Sequence, residues 1–210
     1  MTITKLWRST LLRAGLLLAM ALPSFGAYVV TINTQSISGT AGFIDLTLAA
    51  GDDALSIAIS SFSPTGILGA VDGTSFGDFA GDLTSGNTLT IGPGNTDYLR
   101  AVTFGASIQF MLSLSGPAVS SPNPAAFTGN TFRFFVFDTS FAPLLTVGSG
   151  PDPEGYLFAI DVAAKTGATD ITPFGARGIL DITAAVPEPM TLLLSGAGLA
   201  ALFALRKRVA

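Results

Sequence analysis

From residue 107 to 115, Ile108, Phe110, Leu112 and Leu114 alternate with Gln109, Met111, Ser113 and Ser115. A period of two puts one apolar row on one face of a β-strand, and a second layer must cover that face. The same alternation runs through 43–48 and 54–60, while 131–138, 156–162 and 179–182 are apolar runs of strand length. Turn formers separate these segments: Gly51-Asp52-Asp53, Asp72-Gly73, Gly92-Pro93-Gly94-Asn95, Gly116-Pro117 and Gly150-Pro151-Asp152-Pro153. No window of this middle region carries a helical period. The pattern predicts an all-β fold, an antiparallel β-sandwich of jelly-roll-like topology. Two Gly-, Pro- or Asp-rich stretches, 66–86 and 116–129, read as long loops, the places where a sandwich positions binding groups. Neither is a domain boundary, because the strands on both sides need one another to close a core.

The two ends follow other rules. Lys5, Arg8 and Arg13 precede an apolar stretch from Ala14 to Leu22, after which Pro23, Ser24 and Gly26 give a break and small residues. This is the layout of a secretory signal peptide cleaved after Gly26. At the other end, Pro187-Glu188-Pro189 leads into residues 190–205, none charged, and then Arg206-Lys207-Arg208. As a helix rising about 1.5 Å per residue this run reaches roughly 24 Å, which barely spans a bilayer core of about 30 Å. The basic cluster Arg206, Lys207 and Arg208 prefers the cytoplasmic side, so the domain ahead of the helix is left outside. Pro187 and Pro189 hold Glu188 in an extended segment that a membrane protease can grip. An ordinary tail anchor has no need of Pro-Glu-Pro, and a GPI signal ends apolar, unlike this chain. The expected organisation is a signal peptide at 1–26, a β-sandwich domain at 27–186 and a sorting segment at 187–210.

The Pro-Glu-Pro motif, the short span and the basic end together resemble the PEP-CTERM signal by which Gram-negative bacteria hand exported proteins to an exosortase. The resemblance implies an exosortase as partner, passage through the inner membrane on the C-terminal helix, and a final place at the cell surface or outside the cell. Gly42-Phe43-Ile44-Asp45, the segment from Asp97 to Gly105 and Leu112-Ser113-Leu114-Ser115-Gly116-Pro117 are similar to stretches of small PEP-CTERM proteins without assigned activity. That likeness implies a non-enzymatic component of the envelope or extracellular matrix, associated with exopolysaccharide.

Composition narrows the chemistry of the middle domain. It holds four bases (Arg100, Arg133, Lys165 and Arg177) against thirteen acids, a net formal charge of −9, which makes nucleic acid an unsuitable partner. The chain has no Cys and no His. Disulfides, Ser-His-Asp and Cys-His nucleophiles, and His- or Cys-ligated zinc are all absent as a result. A glycosidase pair would have to come from Asp72, Asp78, Asp82, Asp152 and Glu154, although solvated turn acids explain them more simply. Calcium is a candidate cofactor, with Asp52, Asp53, Asp72, Asp78 and Asp82 as oxygen ligands, but without the alternating Asp spacing of a dedicated loop. Tyr98, Phe127, Phe141 and Tyr156 could form a sugar-stacking face, the basis of an alternative reading as a carbohydrate-binding or carbohydrate-cleaving module. In a chain with sixteen Phe, core packing is the competing account of those rings. Arg100 and Arg133 lie on strand-like segments and are expected to pair with acids on the solvent face.

Overall fold

Alternating segments become strands, and strands with one apolar face need a facing sheet. In the computed structural model, which describes residues 26–84, 86–146 and 155–185, this produces β1 (Ala27–Asn33), β2 (Ala41–Ala49), β3 (Ser56–Pro64), β4 (Ile67–Val71), β5 (Phe79–Ala80), β6 (Leu89–Ile91), β7 (Thr96–Thr103), β8 (Ser107–Ser115), β9 (Asn130–Asp138), β10 (Phe158–Val162), β11 (Thr169–Pro173) and β12 (Leu180–Ala184). The only helices among the described residues are a 3₁₀ turn at Gln35–Ile37 and one turn of α-helix, α1, at Pro117–Ser120. No helix of the described residues is long and apolar enough to cross a membrane. The signal peptide expected at 1–26, Gly26 apart, the sorting segment with Pro187, Glu188, Pro189, Arg206, Lys207 and Arg208, and the acids Asp152 and Glu154 lie outside the described residues.

The strands form two six-stranded sheets, ordered β12-β1-β8-β3-β6-β5 and β11-β10-β9-β2-β7-β4. Every pairing is antiparallel. From β1 to β4, and again from β6 to β9, each strand lies in the sheet opposite its predecessor, so chain neighbours face each other across the core. The expected antiparallel β-sandwich is therefore the observed architecture. Within the stretch 66–86, expected to be loop, the chain also forms the edge strands β4 and β5. Both are short, and β4 carries apolar residues on exposed positions, which is why no alternation marks it.

One apolar seam joins the layers. Ile108, Phe110, Leu112 and Leu114 of β8 are buried, whereas Gln109 and Met111 between them and Ser115 after them are exposed. From the second sheet, Phe132, Phe134 and Val136 of β9 and Phe158, Ile160 and Val162 of β10 enter the same core. Phe110 stacks on Phe134 with ring centroids 5.4 Å apart, which places a ring of one sheet against a ring of the other. Phe62 extends the stack at 5.7 Å on one side, and Phe158 at 5.3 Å on the other. Offset ring pairs of this kind add to the burial of their area. Gly42 marks a close approach within this packing: a Cβ there would lie 2.1 Å from the backbone oxygen of Phe137, so β2 can lie flush against β9 only without a side chain.

Parity along β8 gives a direct test. Phe110→Ala should cost about 3–5 kcal/mol in urea-induced unfolding, because it opens a cavity between the sheets. Met111→Ala, one residue on and facing outward, should change stability by no more than about 0.5 kcal/mol.

Candidate functional site

The outward faces of the two sheets differ in chemistry. Away from the core, the first sheet presents Thr31 of β1, Ser60 of β3, and Gln109 and Ser113 of β8, a mainly polar surface on which Met111 is the large exposed apolar side chain. The second sheet presents rings. Its β9 reads Phe-Arg-Phe-Phe-Val-Phe from residue 132 to 137, with both parities apolar, because Phe132, Phe134 and Val136 face the core while Phe135 and Phe137 point the other way. On the outer side an unbroken series of ring contacts runs from Phe43 to Phe174. Phe43 stacks on Phe141 at 5.0 Å, Phe141 meets Phe137 at 6.1 Å, and Phe137 stacks on Phe135 at 5.3 Å. Tyr156 then meets Phe135 edge-on at 5.7 Å and Phe174 edge-on at 4.5 Å. The Arg133 guanidinium lies over the Tyr156 ring at 5.5 Å, within cation–π reach.

Two carboxyls lie in this apolar setting. Asp45 of β2 is paired across from Phe135 on one side and Leu99 on the other, and both neighbours are buried. Asp97 of β7 is one diagonal step away, opposite Thr47. The two side chains hydrogen-bond to each other. Burial, then the nearby charge of Asp97, push the Asp45 carboxyl up to about 7, and burial also raises Asp97. Asp45 Oδ1 is buried without a hydrogen-bond partner, and the backbone N–H of Leu46, which favours the ionised form, does not offset the burial. Near neutral pH the pair holds one proton between two carboxyls. Carboxyls in hydrogen-bond contact are closer than the about 5–5.5 Å of a retaining glycosidase pair and far closer than the separation of an inverting one.

The residues singled out from the sequence are distributed differently. Tyr98 is a core residue with no exposure, in edge-on contact with Phe79 at 5.2 Å. Phe127 is 87% exposed on the loop after α1, under the Lys165 ammonium at 5.3 Å. Only Phe141 and Tyr156 share a face, and of these Phe141 alone is well exposed. Arg100 points inward and not to the solvent face, because its Nε donates to the Gly69 carbonyl at 2.8 Å and its Nη1 to the Tyr98 hydroxyl at 3.2 Å. Asp82 lies 4.0 Å from that same Nη1.

Four of the five candidate calcium ligands have a local task. Asp52 accepts from the backbone N–H groups of Phe127 and Thr128, and Asp53 from that of Asn123, so the β2–β3 turn is fastened to the loop before β9. Buried Asn130 completes the fastening, accepting from the Gly51 N–H and donating to the Asp53 carbonyl. Asp72 caps its own turn through Thr74, as Asp82 does through Thr84 and Asn87. Asp78 lies against Gly92, where a Cβ would come within 2.2 Å of its Oδ2. These donors hold Asp52, Asp72 and Asp82 below the usual carboxylate range; Asp138, capping a turn through Ser140 and Ala142, is lowered likewise. Among the described residues no three acidic side chains converge as a metal-binding group, so a calcium ion in these loops would depend on backbone carbonyls.

Residues 185–208 match the PEP-CTERM protein-sorting motif, a span that includes Pro187, Glu188, Pro189 and the basic cluster Arg206, Lys207 and Arg208. No curated protein and no solved structure matches the chain. The protein is a β-domain followed by an exosortase sorting motif, and that motif implies export and membrane transit before cleavage.

The two groups of acids give opposite pH dependences in separate windows. Asp45, raised on folding, contributes stability that is complete below about pH 4 and lost as pH rises through about 7. The lowered acids contribute stability that is present above about pH 4 and lost as pH falls through their folded values. The thermal midpoint should therefore peak at mildly acid pH, about 4–5, and fall toward pH 8. Asp45→Asn should remove most of that fall; a wild-type midpoint that stays level from pH 5 to pH 8 would count against the shared proton.

Proposed function

We propose that this protein is a non-enzymatic component of the cell envelope or extracellular matrix, delivered through the inner membrane, cut by an exosortase near Pro187-Glu188-Pro189, and associated with exopolysaccharide at the cell surface or in the medium. The match of residues 185–208 to the sorting motif carries the proposal. The absence of His and Cys from the sequence supports a role without Ser-His-Asp or Cys-His chemistry. So does the geometry of the acids. Asp52, Asp53, Asp72 and Asp82 each commit one carboxylate oxygen to loop donors, and Asp45 with Asp97 is too close for glycoside hydrolysis. Calcium, if bound, has a structural role in the loops held by Asp52 and Asp53.

A carbohydrate-binding module is the second reading, favoured by the ring series on the second sheet and by Phe141, which is 54% exposed within it. The strand order supports a jelly-roll-like topology, an architecture that also serves lectins, although fold alone does not assign function. Saturable binding on a glycan array that is lost in Phe141→Ala would favour this reading.

The intact mass of the protein recovered from its host, measured separately for membrane, periplasm and medium, tests the first reading. The expected mass lacks residues 1–26 and the residues beyond the Pro-Glu-Pro region. A mass that keeps 190–210, found in the inner membrane alone, would mean an ordinary anchor and overturn the proposal.

A further inference from the structure

The domain begins and finishes at one end of the sandwich. β1 and β12 are antiparallel neighbours, with Tyr28 opposite Ala184 and the Ala185 N–H donating to the Ala27 carbonyl at 2.8 Å. The loops 50–55 and 116–129 lie at the same end. Ala27 pairs with Ser113 of β8, Ser115 of β8 pairs with Ser56 of β3, and the Ala118 N–H bonds to the Ala54 carbonyl. On the second sheet the loop 163–168 joins them, because Val162 pairs with Asn130 and Gly167 lies against the Ala118 carbonyl. This end is unlike the rest of a strongly acidic domain. Loop 116–129 carries no charge, 163–168 carries only Lys165, and Asp52 and Asp53 each give an oxygen to backbone N–H groups of 116–129. Phe127 is the most exposed large apolar side chain of the described residues, and Pro124 and Ala125 are exposed beside it. The Lys165 ammonium lies 5.3 Å from the Phe127 ring centroid.

We propose that this end is a docking surface for a lipid bilayer with zwitterionic headgroups, the membrane into which residues 190–205 of the same chain pass. The inference rests on the membrane passage in the function proposed above. Four residues, 186–189, separate Ala185 from that uncharged run, a reach of at most about 18 Å. The run in the bilayer therefore holds the Phe127 end of the sandwich close to the lipid surface, and the signal peptide, which leads straight into β1, does the same at the start of export. An aromatic ring with a lysine beside it suits a membrane–water boundary, with the ring at the level of the upper acyl carbons and the ammonium among the phosphates. Two acids against one base at this end give no attraction to an anionic surface, so the headgroups it fits are neutral overall. One ring buries little area, and the contact is weak by itself. The short tether makes it intramolecular and so keeps it occupied. Cleavage near Pro187-Glu188-Pro189 removes the tether and lets the domain leave the surface.

Trp7 is the one tryptophan of the chain, so Trp7→Phe clears the full-length protein for a single probe. On that background, in vesicles of phosphatidylcholine brominated on its acyl chains, the fluorescence of Phe127→Trp should be quenched several-fold more than that of Phe141→Trp. Phe141 is also exposed, but it follows Asp138 at the opposite end of β9, roughly 26 Å from Asn130 at about 3.3 Å per residue. Adding Lys165→Glu should reduce the quenching at 127, and Lys165→Arg should keep it. Leu199→Trp, within the uncharged run, reports the membrane passage itself. Quenching at 199 together with a signal at 127 no stronger than at 141 would overturn the inference while membrane passage stands; no quenching at 199 would overturn both. A probe at 127 that is shielded in vesicles of host inner membrane but not in phosphatidylcholine would assign the surface to a membrane protein and overturn lipid as its occupant.

Discussion

The contact between the sheets bears the stability of this domain. With no cysteine in the chain, no disulfide shares the task, and the rings of Phe62, Phe110, Phe134 and Phe158 form a stack that crosses from one layer to the other. Burying a side chain of this size gains about 1.5–3 kcal/mol, against a backbone ordering cost of about 1–2 kcal/mol for every residue fixed. The core therefore has to be wide as well as dense. Its breadth comes from the way the chain crosses between layers at successive strands, so that β2, β7, β9 and β10 all contribute to the seam that β1, β3, β6 and β8 close from the other side.

Because the seam takes only one parity of each strand, the other parity is left to set surface character. The first sheet uses that freedom for Ser, Thr and Gln. The second builds a thin outer layer of rings, and this layer makes the environment of Asp45. A carboxyl beside Thr or Ser would be solvated and ionised; beside Phe135 and Leu99 it keeps its proton unless the pH is raised. The loop acids are the counterpart, since each is surrounded by N–H or O–H donors that favour the charge. One residue type, Asp, thus serves as a loop fastener at the ends of the sandwich and as a proton-sharing pair on its face.

Strands with one buried face were legible in the sequence. The alternation at 107–115 falls on β8, that at 43–48 within β2, and 54–60 overlaps β3. The apolar run at 131–138 gave β9 but not its meaning, because a strand covered on both faces loses the alternation that separates inside from outside. β1, β4, β5, β6 and β11 were not singled out; β4, β5 and β6 are short, and β4 has its apolar residues exposed. Both ends were readable as local patterns of charge, length and proline, and the C-terminal one matches the sorting motif. The Asp45–Asp97 pair was not readable. Its parity could be seen in each strand, but it depends on β2 lying beside β7, and no local pattern specifies which strands become neighbours. For the same reason Tyr98 and Phe127 could not be separated from Phe141 and Tyr156 until the faces were known.

The place of β1 bears on how the domain comes to exist. It lies between β8 and β12, with Ile32 paired to Ile108 on one side and Leu180 on the other. The first strand made thus waits for the middle of the chain and then for its far end before both its edges are filled. Contacts so distant in sequence make for slow folding, since loop closure precedes any return from pairing. A chain threaded across a membrane N-terminus first would leave one edge of β1 open until β12 had followed it, so the first sheet could close only after translocation of nearly the whole domain.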